Sequence, residues 1–444
     1  MRRYGLIGWI FLLAISILVA GCGSKQPAPQ EKKTLKIAFQ KEEYFYNSYG
    51  DYFEAKFPNV KIEIVPTEGI YGAGVVNSNE ALASIVREQK PDLLFLSAFQ
   101  YPYLVQQEML YDMTPLAERD LKDAVLHPLA IEWLRTNDQG KLYGLNPEFN
   151  TKALFYNKSL FDEYGVEYPH DGMTWEEVIR TAERFSARKT NDDVFFGYHE
   201  MFLQTPYDLV RRIAYTHRLS YLSADQKQVT IDTESWRQIF QLVIDALKRG
   251  DFQPQMVQGD KKGDVTVYGP EHIAQMDLFA EGKAAMTVDG TSLIGRLNGK
   301  TFEWGIVTEP IDPANPTRAT DYDVYPVLAI AEQSENKETA WEVIRYFMSE
   351  EYARVHSKIG HTLTTRIDGR VQDDLNLDPF YKLQTGDFEL PTYQGIVFLF
   401  DDLLNEQIAE VVQGKKTVEE ALKYLQSEGQ KRLDEAWIEK EAAK

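Results

Sequence analysis

Cysteine is almost absent from this chain. One thiol, Cys22, stands in 444 residues, so no disulfide can form within the molecule. Positive charge is also scarce: 48 Lys and Arg face 68 Asp and Glu, a formal net charge of −20 at pH 7. A surface of that sign repels a phosphate backbone, and nucleic acid is not an expected partner. Past the first segment of the chain there is no run of about 18 uninterrupted apolar residues, so nothing further along reads as a membrane-spanning helix. Repeats and low-complexity tracts are missing apart from one short polar stretch near the start.

Signatures of catalysis are missing as well. None of the seven histidines, at 127, 170, 199, 217, 272, 356 and 361, forms H-E-x-x-H, because "HEMFL" has no second His at the required spacing. The "GKT" at 299–301 would need a glycine at 294 to wrap phosphate, and Ile294 is there. "YGAGVV" lacks the third glycine of a dinucleotide loop. Asp374, Asn376 and Asp378 match the start of a calcium loop, but Pro379 replaces its glycine and Thr385 its closing glutamate. No G-x-S-x-G elbow occurs. With 68 acidic residues, spacing alone singles out no carboxylate pair for glycoside hydrolysis.

What is present begins at the front. "MRRYGLIGWIFLLAISILVAGC" runs from two arginines through an apolar stretch to small residues, the order of a secretory signal. Its end, Leu18 to Cys22, resembles a bacterial lipobox, which implies cleavage of residues 1–21 and a lipid on Cys22. The lipid would hold the chain to the membrane while leaving the remainder free to fold in water. Residues 22–34, rich in Gly, Ser, Pro, Gln and charge, cannot build a core and are expected to be a flexible tether.

From Leu35 the composition is that of a globular protein long enough for two compact units. "TLKIAFQ" (34–40) and "VKIEIVP" (60–66) alternate as strands do, with aromatics near helical spacing between them. A helix near 79–89 leads to "PDLLFLS" (91–97), the short apolar run of a buried parallel strand. The chain therefore opens as an α/β protein, whose ligands bind beyond the carboxyl ends of the strands. Thr174 with Glu177 and Thr417 with Glu420 form capping boxes that open two helices. Apolar stripes mark further helices through Trp236 and Leu247 and through Ala340 and Met348.

Five blocks then occur in order: "GKLYGLNPEFNTKALFYNKSLFDEYGVEYPHDGMTWEEVIRTAERF" (140–185), "FAEGKAAMTVDGT" (279–291), "WGIVTEPIDP" (304–313), "SENKETAWEVIRYFMSEE" (334–351) and "VVQGKKTVEEAL" (411–422). Together they resemble the family 1 extracellular solute-binding proteins, the lipid-anchored or periplasmic receptors of ABC importers related to maltose-binding protein. The resemblance implies two α/β lobes, each a mainly parallel sheet flanked by helices. A three-crossing hinge would lie near Asn150–Leu154, Asp289–Ser292 and Met348–Tyr352. The first lobe would comprise 35–150 plus 293–348, the second 151–292 plus 349–444. It further implies a monomer with no cofactor, no metal and no catalytic residue, serving permease subunits in the membrane.

Many members of that family bind sugars, whose apolar faces and polar rims call for flat aromatics and hydrogen-bonding side chains. Position along the chain nominates Gln40, Lys41 and Glu42 after the first strand, and Gln100 and Tyr101 after "PDLLFLS". Asn150 marks the first crossing, and Asp289 and Thr291 the second. Tyr322, Asp323 and Tyr325 precede "PVLAIA", and Tyr207 and Tyr393 are nominated for the second lobe. "FQKEE", "DGTSL" and "GIVFLFDD" contain no tryptophan where sugar receptors often carry one, which leaves room for another polar solute. The expected function is a membrane-anchored extracytoplasmic receptor that delivers a carbohydrate, an oligosaccharide in particular, to a permease. A sensor subunit presenting its ligand to a signalling receptor is one alternative, and a cell-surface hydrolase on a similar scaffold is another. Cys22→Ser should release the protein from the membrane fraction or leave its signal uncleaved, as fractionation and intact-mass measurement would show. Retention with unchanged acylation would contradict the lipobox.

Overall fold

The computed structural model describes residues 33–71, 77–136, 140–187, 195–255, 257–262, 265–359, 361–368, 370, 375–384 and 400–442. Cys22, the tether expected at 22–34 except for its last residues, and Tyr393 lie outside them. No helix among the described residues is long and apolar enough to cross a membrane.

The first sheet has the order β12-β3-β1-β2. It is built from β1 (Lys33–Phe39), β2 (Val60–Pro66), β3 (Leu93–Leu96) and β12 (Val327–Ile330). β1 pairs in parallel with both β2 and β3, and only β12 runs against its neighbour β3. β3 is buried along its whole length, as its unbroken apolar sequence requires of a strand covered on both faces. Asp92, just before β3, is buried and accepts from the Lys36 amide at 2.9 Å and the Ser334 hydroxyl at 2.6 Å. That carboxylate ties two strands to the start of the helix Lys337–Phe347. The expected strands and the helix Ser78–Gln89 are all present.

The second sheet has the order β10-β5-β9-β6, from β5 (Ala153–Asn157), β6 (Phe196–Tyr198), β9 (Ala284–Asp289) and β10 (Trp304–Thr308). Here only β6 and β9 are parallel, while β5 runs against both β9 and β10. The expectation of a mainly parallel sheet holds for the first lobe and not for the second. β9 and β10, joined across the helix Ser292–Leu297, do point the same way. β5, entering from the other lobe, runs between them in the opposite sense. Helices Trp175–Ser186, Pro206–Thr216, Glu234–Arg249 and Asp401–Val412 close a second apolar cluster around Trp175, Phe240 and Ile408. The capping box of Thr174 and Glu177 forms as its sequence predicts, with contacts of 3.3 and 2.8 Å.

A third, small sheet joins the two. β4 (Glu148–Thr151) lies between β11 (Tyr322–Asp323) and β13 (Leu363–Thr364), antiparallel to each. β4 runs on into β5, and β11 into β12, so two connections between the lobes pass through this ladder; a further one lies between the helices Glu350–His356 and Asp401–Val412, in a stretch that is partly outside the described residues. The first connection runs from β4 into β5 through Thr151–Ala153. The second is not at Asp289–Ser292, which only turns β9 into its helix; it is β11, so β10 belongs with the second lobe. Nor does the chain cross at Met348–Tyr352. Ser349 there caps the helix Glu350–His356, and Tyr352 packs on Phe347 of the preceding helix with ring centroids 4.9 Å apart.

Three nominated tyrosines are core residues, and one of them, Tyr322, is buried in the first cluster. Tyr207 is buried in the second cluster. Tyr101 has no exposed surface; its ring meets Trp133 at 5.5 Å, and its hydroxyl donates to the Leu134 carbonyl at 2.9 Å. The helix Gln100–Gln106 turns Gln100 toward the strand ends and rolls Tyr101 inward, so neither it nor Tyr207 offers a face for stacking. Tyr101→Ala should therefore act on stability, costing about 3–5 kcal/mol in denaturant unfolding. Tyr101→Phe, which loses only the hydroxyl with its bonds to the Leu134 carbonyl and from the Tyr143 amide, should cost about 1–3 kcal/mol.

Candidate functional site

Alternation along β4 sets the floor of the site. Phe149 and Thr151 point into protein, while Glu148, Asn150 and Lys152 emerge on the opposite face. Tyr322 opposite Thr151 is likewise buried, and Asp323 opposite Asn150 is exposed. One face of the hinge ladder is thus apolar and the other polar, carrying Asn150, Lys152, Asp321, Asp323 and Glu148. Asp323 is open to solvent yet closely surrounded by protein, and this desolvation raises its carboxyl above the usual range.

Above this floor, the first lobe contributes a cavity of about 260 Å³ at the carboxyl ends of β1 and β3. Its lining includes Phe39, Gln40, Thr67, Gln100 and Tyr325. Gln100 is buried, and its Oε1 accepts from the Ser97 amide at 2.8 Å, which fixes the side chain at the cavity wall. Tyr325 is 47% exposed. Lys41 pairs with Glu68 at 2.6 Å, and that partner raises its pKa. Glu42 is exposed at the start of the next helix. Tyr44 and Phe99, exposed aromatics that follow β1 and β3, add flat surface that was not nominated.

The second lobe meets the floor through a closed ring of alternating charge. Lys152 lies 3.3 Å from Glu200 and 3.4 Å from Asp321, and Arg212 pairs with the same two carboxylates. Burial opposes the charge on Glu200, but Arg212 and Lys152 more than offset it and hold the carboxyl below its ordinary value. Burial lowers Lys152, and Arg212 beside it acts in the same direction. Tyr198 donates to Glu200 at 3.1 Å. Next to the ring, Glu309 is buried and pushed up to about 8 by desolvation, which favours its neutral form. It accepts from the Thr320 amide at 2.7 Å and thereby fixes the residue that leads into Asp321.

Asp289 reaches the same end of the second sheet. One of its oxygens accepts from Gly290 at 2.7 Å, and the other pairs with Arg296, which also holds Asp277 at 2.6 Å. Burial nevertheless raises its pKa. Thr291 is half-buried before the helix Ser292–Leu297. Of the nominated residues, Gln40, Gln100, Asn150, Asp323 and Tyr325 come together around floor and cavity, with Lys41 and Glu42 at its edge. Tyr101, Tyr207 and Tyr322 turn inward. Sequence reasoning missed Glu148, Lys152, Glu200, Arg212, Glu309 and Asp321. The first two could have been found from the period-two pattern of "EFNTK"; the others are assembled only by the fold.

Comparisons with known proteins agree with this architecture. Residues 28–354 match the family model described as bacterial extracellular solute-binding protein. An arabinooligosaccharide-binding protein of Bacillus subtilis is 24% identical over 190 residues, 41% of this chain and 42% of that protein. A multiple sugar-binding protein of Streptococcus mutans is 24% identical over 215 residues, 46% of this chain and 47% of that protein. The chain thus spans less than half the length of these relatives in the matched region. Among solved structures, the sugar-binding protein MalE of Xanthomonas citri superposes with a TM-score of 0.62 at 17% identity, covering 92% of this chain and 99% of that one. An ABC substrate-binding protein of Listeria monocytogenes in complex with cycloalternan gives 0.58 at 19% identity, covering 91% and 99%. These likenesses carry the two-lobed fold, and the family match carries the identity: the chain belongs to the bacterial extracellular solute-binding proteins.

Proposed function

We propose that this protein is the receptor of an ABC importer, holding a carbohydrate, an oligosaccharide in particular, in the cleft between its lobes and passing it to permease subunits. A lipid on Cys22 would keep it at the extracytoplasmic face of a bacterial membrane. The observation that carries this reading is the polar face of the hinge ladder, which meets a strand-end cavity of the first lobe on one side and the charged ring of the second on the other. Acceptors on Asn150, Asp323 and Gln40 suit the hydroxyl rim of a sugar, and Tyr325, Tyr44 and Phe99 suit its C–H faces. The sugar-binding relatives and neighbours support the same choice of ligand. Binding rather than turnover is the proposed activity, in keeping with the family.

In this reading ligand stabilises the closed arrangement of the lobes because it contacts both walls only there. A thermal-shift screen should find sugars that raise the melting temperature, since a ligand at 100 times its Kd adds about 2.7 kcal/mol of stability. Amino acids, peptides or polyamines shifting the melt while sugars do nothing would overturn the carbohydrate assignment. Asp323→Ala should weaken sugar binding about ten-fold or more by calorimetry, the consequence of losing a charged hydrogen bond of roughly 1.5–3 kcal/mol. Unchanged affinity would move the site away from the hinge ladder.

A further inference from the structure

Among the described residues, the four cations placed around the cleft above are each matched by carboxylate. Lys41 holds Glu68 at 2.6 Å. Lys152 and Arg212 share Glu200 and Asp321 in the closed ring. Arg296 is divided between Asp277 and Asp289. Glu148 in turn is engaged by the Tyr352 hydroxyl at 2.8 Å and by His356 at 2.7 Å. Asp323 differs from all of these. It is exposed on the polar face of β11 beside Asn150, and among the described residues no lysine or arginine pairs with it.

From this we infer that the cleft is selective by charge: it takes neutral or amine-bearing glycans and rejects glycans that carry carboxylates, with Asp323 as the residue that sets the preference. The inference rests on the carbohydrate reading above and narrows it. A uronate entering the cleft would meet Lys41, Lys152, Arg212 and Arg296 already engaged by carboxylates, and would lie against the unmatched carboxylate of Asp323. A hydroxyl or an ammonium in the same place donates to that carboxylate, and the ammonium also relieves its uncompensated charge. Several exposed aromatic rings, Tyr325 among them, provide surface that favours a cation as well. Like charges built against an unwanted ligand are a common source of specificity.

The test uses a library of free oligosaccharides in matched sets of neutral, 2-amino and C6-uronate members for each linkage, titrated calorimetrically against the purified protein at low and moderate salt. In any set that binds, the uronate should be at least about ten-fold weaker than its neutral parent, and the gap should narrow as salt screens the repulsion. Asp323→Asn keeps the shape and one acceptor. It should raise the ratio of uronate to neutral affinity at least about ten-fold and remove any advantage of the amine. A uronate that binds wild-type protein as tightly as its neutral parent, or a ratio unmoved by Asp323→Asn, would overturn the selectivity while leaving the carbohydrate reading intact. Failure of every set to bind would overturn that reading and this inference with it.

Discussion

The pairing of Glu148–Thr151 with Tyr322–Asp323 is the constraint on which the rest of the molecule depends. These strands are two of the links between the two large sheets, which among the described residues share no strand pairing with each other. Their alternation separates an inner face, with Phe149, Thr151 and Tyr322, from an outer one, with Asn150 and Asp323. The inner face is continuous with the first apolar cluster and gives the ladder its rigidity. The outer face is then free to be polar, and it lies where both lobes can reach it. A single structural device thereby joins the lobes and supplies the floor of the proposed binding site.

Electrostatics reinforces that arrangement. The ring of Lys152, Glu200, Arg212 and Asp321 ties the hinge to the second lobe, each charge meeting two opposite ones. Cutting out one member would strand the others in partly buried surroundings, which is far more costly than losing an exposed pair. Glu309, whose burial raises its pKa and so favours the uncharged form, holds the backbone at Thr320 beside Glu200. On the first lobe Asp92, bonded to Lys36 and Ser334, ties β1, the amino end of β3 and the segment after β12 together at the end of β3 away from the cavity.

How much of this was legible in the sequence depended on the range of the interactions involved. Strands β1 to β3 were readable because alternation and apolar runs are local consequences of burial. The helix starting at Trp175 was readable because its capping box is local too. The second crossing was not. Asp289–Thr291 sits in a conspicuous block, whereas β11 is only two residues long and carries almost no pattern. Tyr101 and Tyr207 were misplaced for another reason: an aromatic at the end of a strand or the start of a helix suits either a core or a ligand face, and one step of helical rotation decides which. The charged ring joins positions 152, 200, 212 and 321, and no local rule connects them. Asn150 was nominated from its place at the first crossing and Asp323 from its place before "PVLAIA"; their pairing across the ladder became visible only with the fold.

The central claim is that the two lobes move about this ladder to close on ligand bound at its polar face. Small-angle scattering on the protein, alone and saturated with a sugar that binds it, tests that claim most directly. Closure predicts a smaller radius of gyration and a shorter maximum dimension in the liganded sample. A saturated complex whose scattering curve superposes on that of the free protein would contradict it.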